Sequence, residues 1–210
     1  GHTVLVSSGT AALFLALWAL KSKGSRVGVP VYSCSALRNA VEMAGATPIY
    51  LDCAEGSPNL DLNTKQLSTI YILIAPSIYG IPINLKQTDN YKIIEDIAQA
   101  FGAEENGQHI GLRGELGITS FYATKILTSG GQGGAIFSKN KKLIDAIKDY
   151  REFDNRRDEK TRFNFQMTDI QAAIGREQLK QFKDFREKRD SIFLAYKSAG
   201  LELLDGDDDK

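Results

Sequence analysis

The stretch SFYATKILTSGGQGG, residues 120–134, decides how this chain is read. It sets a lysine, Lys125, just past a strand-like run and just before four glycines. Such a lysine is either a solvated surface residue beside a loop or an amine held away from water. Desolvation disfavours the ammonium form and lowers the lysine pKa. A neutral lysine amine can then form a Schiff base with a carbonyl compound. The glycines do not make a P-loop, because no Gly-Lys-Ser/Thr follows at the required spacing. Nor do they make a dinucleotide fingerprint, because GGQGG leads into the strand-like GAIFS rather than into a helix.

On either side, short apolar runs alternate with helical stretches, punctuated by Gly and Pro. TVLV, RVGVP (26–30), TPIYLD (47–52), YILIAP (71–76), YKIIED (91–96), GITSFYA and GAIFS read as strands. Two of these, YILIAP and YKIIED, are continuously apolar apart from their ends, as expected of strands covered on both faces. Residues 10–22, 34–44 and 141–152 read as helices, and a long helix is predicted from Thr168 to about Ala199. Thr168 is its candidate N-cap, with Asp169 in the first turn. LELL, 201–204, reads as a further strand. Strands alternating with helices imply an α/β architecture with a mostly parallel sheet.

The 210 residues, 42% hydrophobic and 25% charged, suit a globular protein with a sizeable core. Lys plus Arg balance Asp plus Glu at 26 each, which argues against a nucleic-acid partner or an acidic membrane surface. The basic stretch KQFKDFREKRD reads as the solvated face of the long helix. Cys34 and Cys53 could form one bridge but no disulfide framework, and His2 and His109 are the only histidines. No metal-ligand spacing results. AALFLALWAL, 11–20, is too short to span a bilayer and has no basic residues before it, so it reads as a buried helix of a cytoplasmic protein. The chain opens at Gly1 and closes in LDGDDDK, and reads as an internal piece of a longer one.

Three motifs fall where an open α/β sheet binds ligands, at the carboxyl ends of strands. SSGTAAL, 7–13, is a strand–Gly–helix junction whose free N–H groups can hold a phosphate; it could equally be a plain capped turn. IIEDIAQAFGA, 93–103, ends a strand at Asp96, with Gln99 three residues on. A carboxylate there either caps a turn or holds a protonated ring nitrogen. The third motif is Ser120 with Lys125. A phosphate cradle, a ring-nitrogen carboxylate and a Schiff-base lysine, in that chain order, point to pyridoxal phosphate (PLP).

With those residues in view, the chain resembles the DegT/StrS-type PLP-dependent sugar aminotransferases, which have the aspartate-aminotransferase fold. The blocks SSGTAAL, VPVYSCSALRNAVEMAGATPIYLD, IIEDIAQAFGA, GLRGELGITSFYATK, GGQGGAIFS and FNFQMTDIQAAIGREQL carry the resemblance in order. It implies a PLP-binding large domain over residues 1–187, a mostly parallel mixed sheet flanked by helices, and the start of a small domain over 188–210. It implies that Lys125 carries the cofactor and shuttles a proton. It also implies that Asp96 keeps the pyridine nitrogen protonated and that Gln99 lies near the ring phenolate oxygen. Gly9, Thr10, Ala11 and Ser120 would surround the phosphate, and Asn164 would reach the phosphate of a neighbouring subunit in a homodimer.

The sequence departs from the family at several places. Cys34 stands where an aromatic ring usually stacks on the cofactor. Ser77 stands in place of a frequent histidine, Gln166 of a common arginine and Gln132 of a common acidic residue. The resemblance implies transfer of an amino group, with glutamate as donor, to a nucleotide-linked keto sugar for polysaccharide or secondary-metabolite sugars. The rival expectations are another PLP reaction on a sugar, such as dehydration or epimerisation, and a truncated relative that does not turn over.

Overall fold

The computed structural model describes residues 1–86, 88–154 and 156–204. Its elements are β1 (His2–Val6), α1 (Gly9–Ala19), β2 (Arg26–Pro30), α2 (Ala36–Met43), β3 (Thr47–Leu51), β4 (Ile72–Pro76) and β5 (Lys92–Asp96). There follow β6 (Glu104–Glu105), β7 (Gln108–His109), β8 (Leu116–Ser120), β9 (Gly134–Ser138), α3 (Lys141–Tyr150), α4 (Asp169–Lys180) and α5 (Phe182–Ser198).

Seven strands form one sheet in the order β1-β9-β8-β5-β4-β2-β3, and β6 pairs with β7 in a separate hairpin. Within the large sheet only the β1–β9 and β8–β9 pairings are antiparallel. Six strands therefore point one way, and β9 alone runs back. The carboxyl ends of β1, β2, β4, β5 and β8 share one edge of the sheet, and the GGQGG loop enters β9 from that edge. The expected mostly parallel mixed sheet is what is observed.

Helix α1 explains AALFLALWAL. Ala11 through Leu17 are all buried, between the sheet and the helices α2 and α3. A helix apolar on every side must be enclosed on every side. Trp18 at its end stacks on Tyr150 of α3, with ring centroids 3.8 Å apart. On the other side of the sheet Leu51, Leu73, Ala75 and Ile93 join a second buried cluster. Among the described residues, no helix is long and apolar enough to cross a membrane.

Two expectations are corrected. The single helix expected over 168–199 is two helices, broken at Gln181 (φ −93°, ψ 0°). The ring of Phe182 packs edge-on against Phe101, with centroids 5.3 Å apart, and touches the space beside Gly102. The chain turns there to make that contact. LELL forms no strand: Gly200 takes φ 78°, the Leu201 N–H donates to the Tyr196 carbonyl, and Leu201 and Leu204 stay exposed. Thr168 does cap α4, and Gln171 completes a reciprocal capping box. Cys34 and Cys53 are both free thiols.

Candidate active site

The site is assembled where β1, β5 and β8 end. Ser8 caps α1: its Oγ accepts the Ala11 N–H at 3.0 Å. The N–H groups of Gly9 and Thr10 then have no acceptor among the described residues. They face the start of the helix, where the helix dipole favours an anion. Gly9 lies against the end of β8. A Cβ at position 9 would sit 2.7 Å from Ser120 Cβ and 3.0 Å from its Oγ. A Cβ at Gly134, across β9, would meet the Ser8 carbonyl at 2.6 Å. Only glycine fits at either place, and that tight seam brings Ser120 to the helix start. Ser120 Oγ accepts the Tyr122 N–H at 3.2 Å, so its own proton is free to be donated.

Asp96 ends β5 and is 6% exposed. Its Oδ1 accepts the Ala98 N–H at 2.9 Å, and no cation lies within ion-pair distance among the described residues. Burial pushes its carboxyl from the ordinary 3.8 up to about 6, against the pull of the Ala98 N–H and the positive charge of Lys125. Lys125 is therefore near enough to act on Asp96 electrostatically. It sits in the turn after β8, its N–H donating to the Tyr122 carbonyl at 2.9 Å, and it is half-buried rather than a free surface side chain. Its amine makes no hydrogen bond or ion pair among the described residues.

A buried acid that lacks a cation, a half-buried free amine and a cluster of anion donors together fit PLP. The acid suits a protonated ring nitrogen, the amine an aldehyde, and the donors a phosphate.

The remaining expected residues sit farther out. Gln99 lies on the turn after Asp96, and its Oε1 accepts the Tyr79 N–H at 3.2 Å. Ala11 is buried in the first turn of α1. Cys34 is exposed on the loop after β2, beside a pocket of about 180 Å³ shared with Val29, Arg38 and Tyr50. That loop is two strands away from β5, roughly 10 Å across the sheet. No contact joins Cys34 to Asp96 or Lys125 among the described residues. Asn164 is exposed, with its Oδ1 accepting the Gln166 N–H at 3.4 Å, next to Phe165, whose carbonyl takes the Ser7 N–H at 2.8 Å. Ser77 is fully buried and donates its N–H to the Asp96 carbonyl at 3.0 Å. A groove of about 590 Å³ runs between Ile126, next to Lys125, and α5, where Phe185, Lys188, Arg189 and Tyr196 line it.

Sequence reasoning missed Asn59 and Ser129. Ser129 is buried and closes the glycine loop by donating to the Gln132 carbonyl at 2.6 Å. Asn59 is buried and holds the turn after β4 from a distant loop. Its partners are 19 and 22 residues away, so no local pattern marks it.

The sheet order and the site at its carboxyl edge define a PLP-transferase fold of the aspartate-aminotransferase kind. A DegT DnrJ EryC1 StrS aminotransferase from Brucella abortus shares this fold, with a TM-score of 0.83 at 26% identity, covering 95% of this chain and 59% of that one. S. venezuelae DesV, solved in complex with a ketimine intermediate, gives 0.83 at 30% identity, covering 94% and 57%. The DegT/DnrJ/EryC1/StrS aminotransferase family model matches residues 1–207, and the chain belongs to that family. Among similar sequences, the GDP-perosamine synthase of Escherichia coli O157:H7 is 32% identical over 93% of this chain and 58% of its own length. The dTDP-3-amino-3,4,6-trideoxy-alpha-D-glucose transaminase of Streptomyces venezuelae is 32% identical over 98% and 57%. The chain thus spans a little over half the length of the curated relatives it matches.

Proposed function

We propose that the protein to which this chain belongs is a PLP-dependent aminotransferase. It moves an amino group from an amino acid, glutamate, to a nucleotide-linked keto sugar for polysaccharide or secondary-metabolite synthesis. One observation carries the reading: the anion donors around Gly9, the buried carboxylate of Asp96 and the free amine of Lys125 lie along one sheet edge. Bound there, PLP supplies an electron sink that stabilises negative charge on the substrate carbon.

The protein's own residues do the rest. The N–H groups of Gly9 and Thr10, with the Ser120 hydroxyl, hold the phosphate, and Ala11, whose own N–H is taken by Ser8 Oγ, only backs that turn. Asp96 keeps a proton on the ring nitrogen, because an ionised buried acid is stabilised by a cation beside it. Lys125 would anchor the cofactor through its amine, and the same amine would serve as the base that takes up and returns a proton. Lys188 and Arg189 give the groove beside Ile126 two cations suited to a nucleotide diphosphate.

We also assign residues 1–187 to a large cofactor domain and 188 onward to the start of a small one, a boundary that falls inside α5. Residues 205–210 of that second unit lie outside the described residues. Cys34 is assigned to the cofactor pocket, and Asn164 to the phosphate of a partner subunit in a homodimer. Two free thiols suit a cytoplasmic setting.

The test is the amino-donor half-reaction. PLP-loaded protein mixed with glutamate should yield the pyridoxamine form and one 2-oxoglutarate per site, read by absorbance and mass spectrometry. Formation of the lysine adduct without any amino transfer would favour a dehydration or epimerisation chemistry instead.

A further inference from the structure

The turn after β4 is held more firmly than a surface loop requires. Tyr79 lies in the left-handed region, at φ 56° and ψ 20°, which an aromatic L-residue rarely adopts. Such a conformation persists only where its surroundings over-determine it. Here they do. Asn59 Oδ1 accepts the Ile78 N–H at 2.9 Å, and Asn59 Nδ2 donates to the Ile81 carbonyl at 3.0 Å. Ser77 Oγ accepts the Ile83 N–H at 3.2 Å. The Tyr79 ring meets Tyr32, from the loop after β2, edge-on at 6.2 Å, and the two hydroxyls are in hydrogen-bond contact. Neither ring fills the core: Tyr32 is 50% exposed and Tyr79 57%.

The outcome of this bracing is one bond toward the site. The Tyr79 N–H points at Gln99 Oε1. A backbone N–H can only donate, so the amide of Gln99 must turn its oxygen to Tyr79 and its NH₂ away. Gln99 is thereby fixed as a donor on the turn that carries Asp96.

We propose that Tyr79 is a positioning residue, pinned by Tyr32 and Asn59, that sets the Gln99 amide to donate to an anionic oxygen of the bound cofactor. This rests on the PLP reading above. A donor to an anionic oxygen stabilises the anion, so losing it raises the pH at which the proton leaves.

The experiment is a pH titration of the absorbance band of PLP bound to the protein. Gln99→Ala is expected to raise the midpoint by about one pH unit. Tyr32→Phe and Tyr32→Ala, which do not touch Gln99, are expected to move it the same way by a smaller amount. The double variant Tyr32→Ala with Gln99→Ala should match Gln99→Ala alone. Midpoints equal to wild type in both Tyr32 variants, or full additivity in the double variant, would overturn the positioning role. Borohydride trapping of the wild type separates the two levels. An adduct on Lys125 with unmoved midpoints refutes this inference alone, whereas no adduct on Lys125 refutes the cofactor reading and this inference with it.

Discussion

Asp96 is kept at a cost to the fold. Its raised carboxyl binds a proton more readily in the folded chain than in the unfolded one. The cofactor-free chain therefore loses stability as pH rises from about 4 to about 6, by on the order of 3 kcal/mol. Below that window the group is neutral in both states and the penalty is absent. Asp96→Asn should abolish this fall, giving a cofactor-free chain that melts higher than wild type at pH 7–8 and binds PLP more weakly. Urea melts across pH 4.5–8 check it; a variant less stable than wild type at pH 8 would contradict the account. The residues of the candidate site legible in the sequence are those placed by their own strand ends, Asp96, Ser120 and Lys125. Tyr79 and Asn59 were not legible, because a backbone angle and two long-range bonds define them.

Among the elements, the β1–α1 junction and the end of β8 share one seam. Gly9→Ala would force a methyl against Ser120, so the helix start and the strand end must separate. We expect a stability loss of about 1–3 kcal/mol and a fall in PLP affinity of about tenfold or more. Equilibrium unfolding and a cofactor titration measure the two separately; unchanged affinity would remove the helix start from the phosphate site. Thr168→Ala should cost about 1 kcal/mol through the lost capping box, without altering PLP affinity. The strands and α1 were legible because their apolar patterns are continuous. The break at Gln181 was not, since QLKQFKDF holds neither Gly nor Pro and the cause is a tertiary contact of Phe182. LELL misled for the opposite reason: a strand-like pattern means nothing without a neighbouring strand to pair with.

Across the whole molecule, residues 156–168, with Arg151 at the end of α3, form a strap along the β1 edge of the sheet. The Ser7 N–H donates to the Phe165 carbonyl, Arg151 Nη1 donates to the Leu5 carbonyl, and Phe165 packs on Phe14 at 5.6 Å. Arg162 ties the strap to α3, with its guanidinium 3.0 Å from Asp149 Oδ1 and 2.5 Å from Asp158 Oδ1. The Arg162 hydrogen bond holds the Asp158 carboxyl well below the usual carboxylate range, so the clamp stays charged through neutral and mildly acidic pH. Arg162→Ala should speed hydrogen exchange in 161–168 and in β1 while leaving β4 and β5 protected. Uniform acceleration across the sheet would show that the strap is not a separate unit. Covering an edge strand this way also guards it against pairing with other chains.

Borohydride reduction of the protein after incubation with PLP, followed by peptide mass mapping, tests most directly whether Lys125 anchors the cofactor. One phosphopyridoxyl group per chain is expected, on Lys125, and none in Lys125→Ala. Labelling spread over surface lysines, or a Lys125→Ala protein labelled as well as wild type, would contradict it.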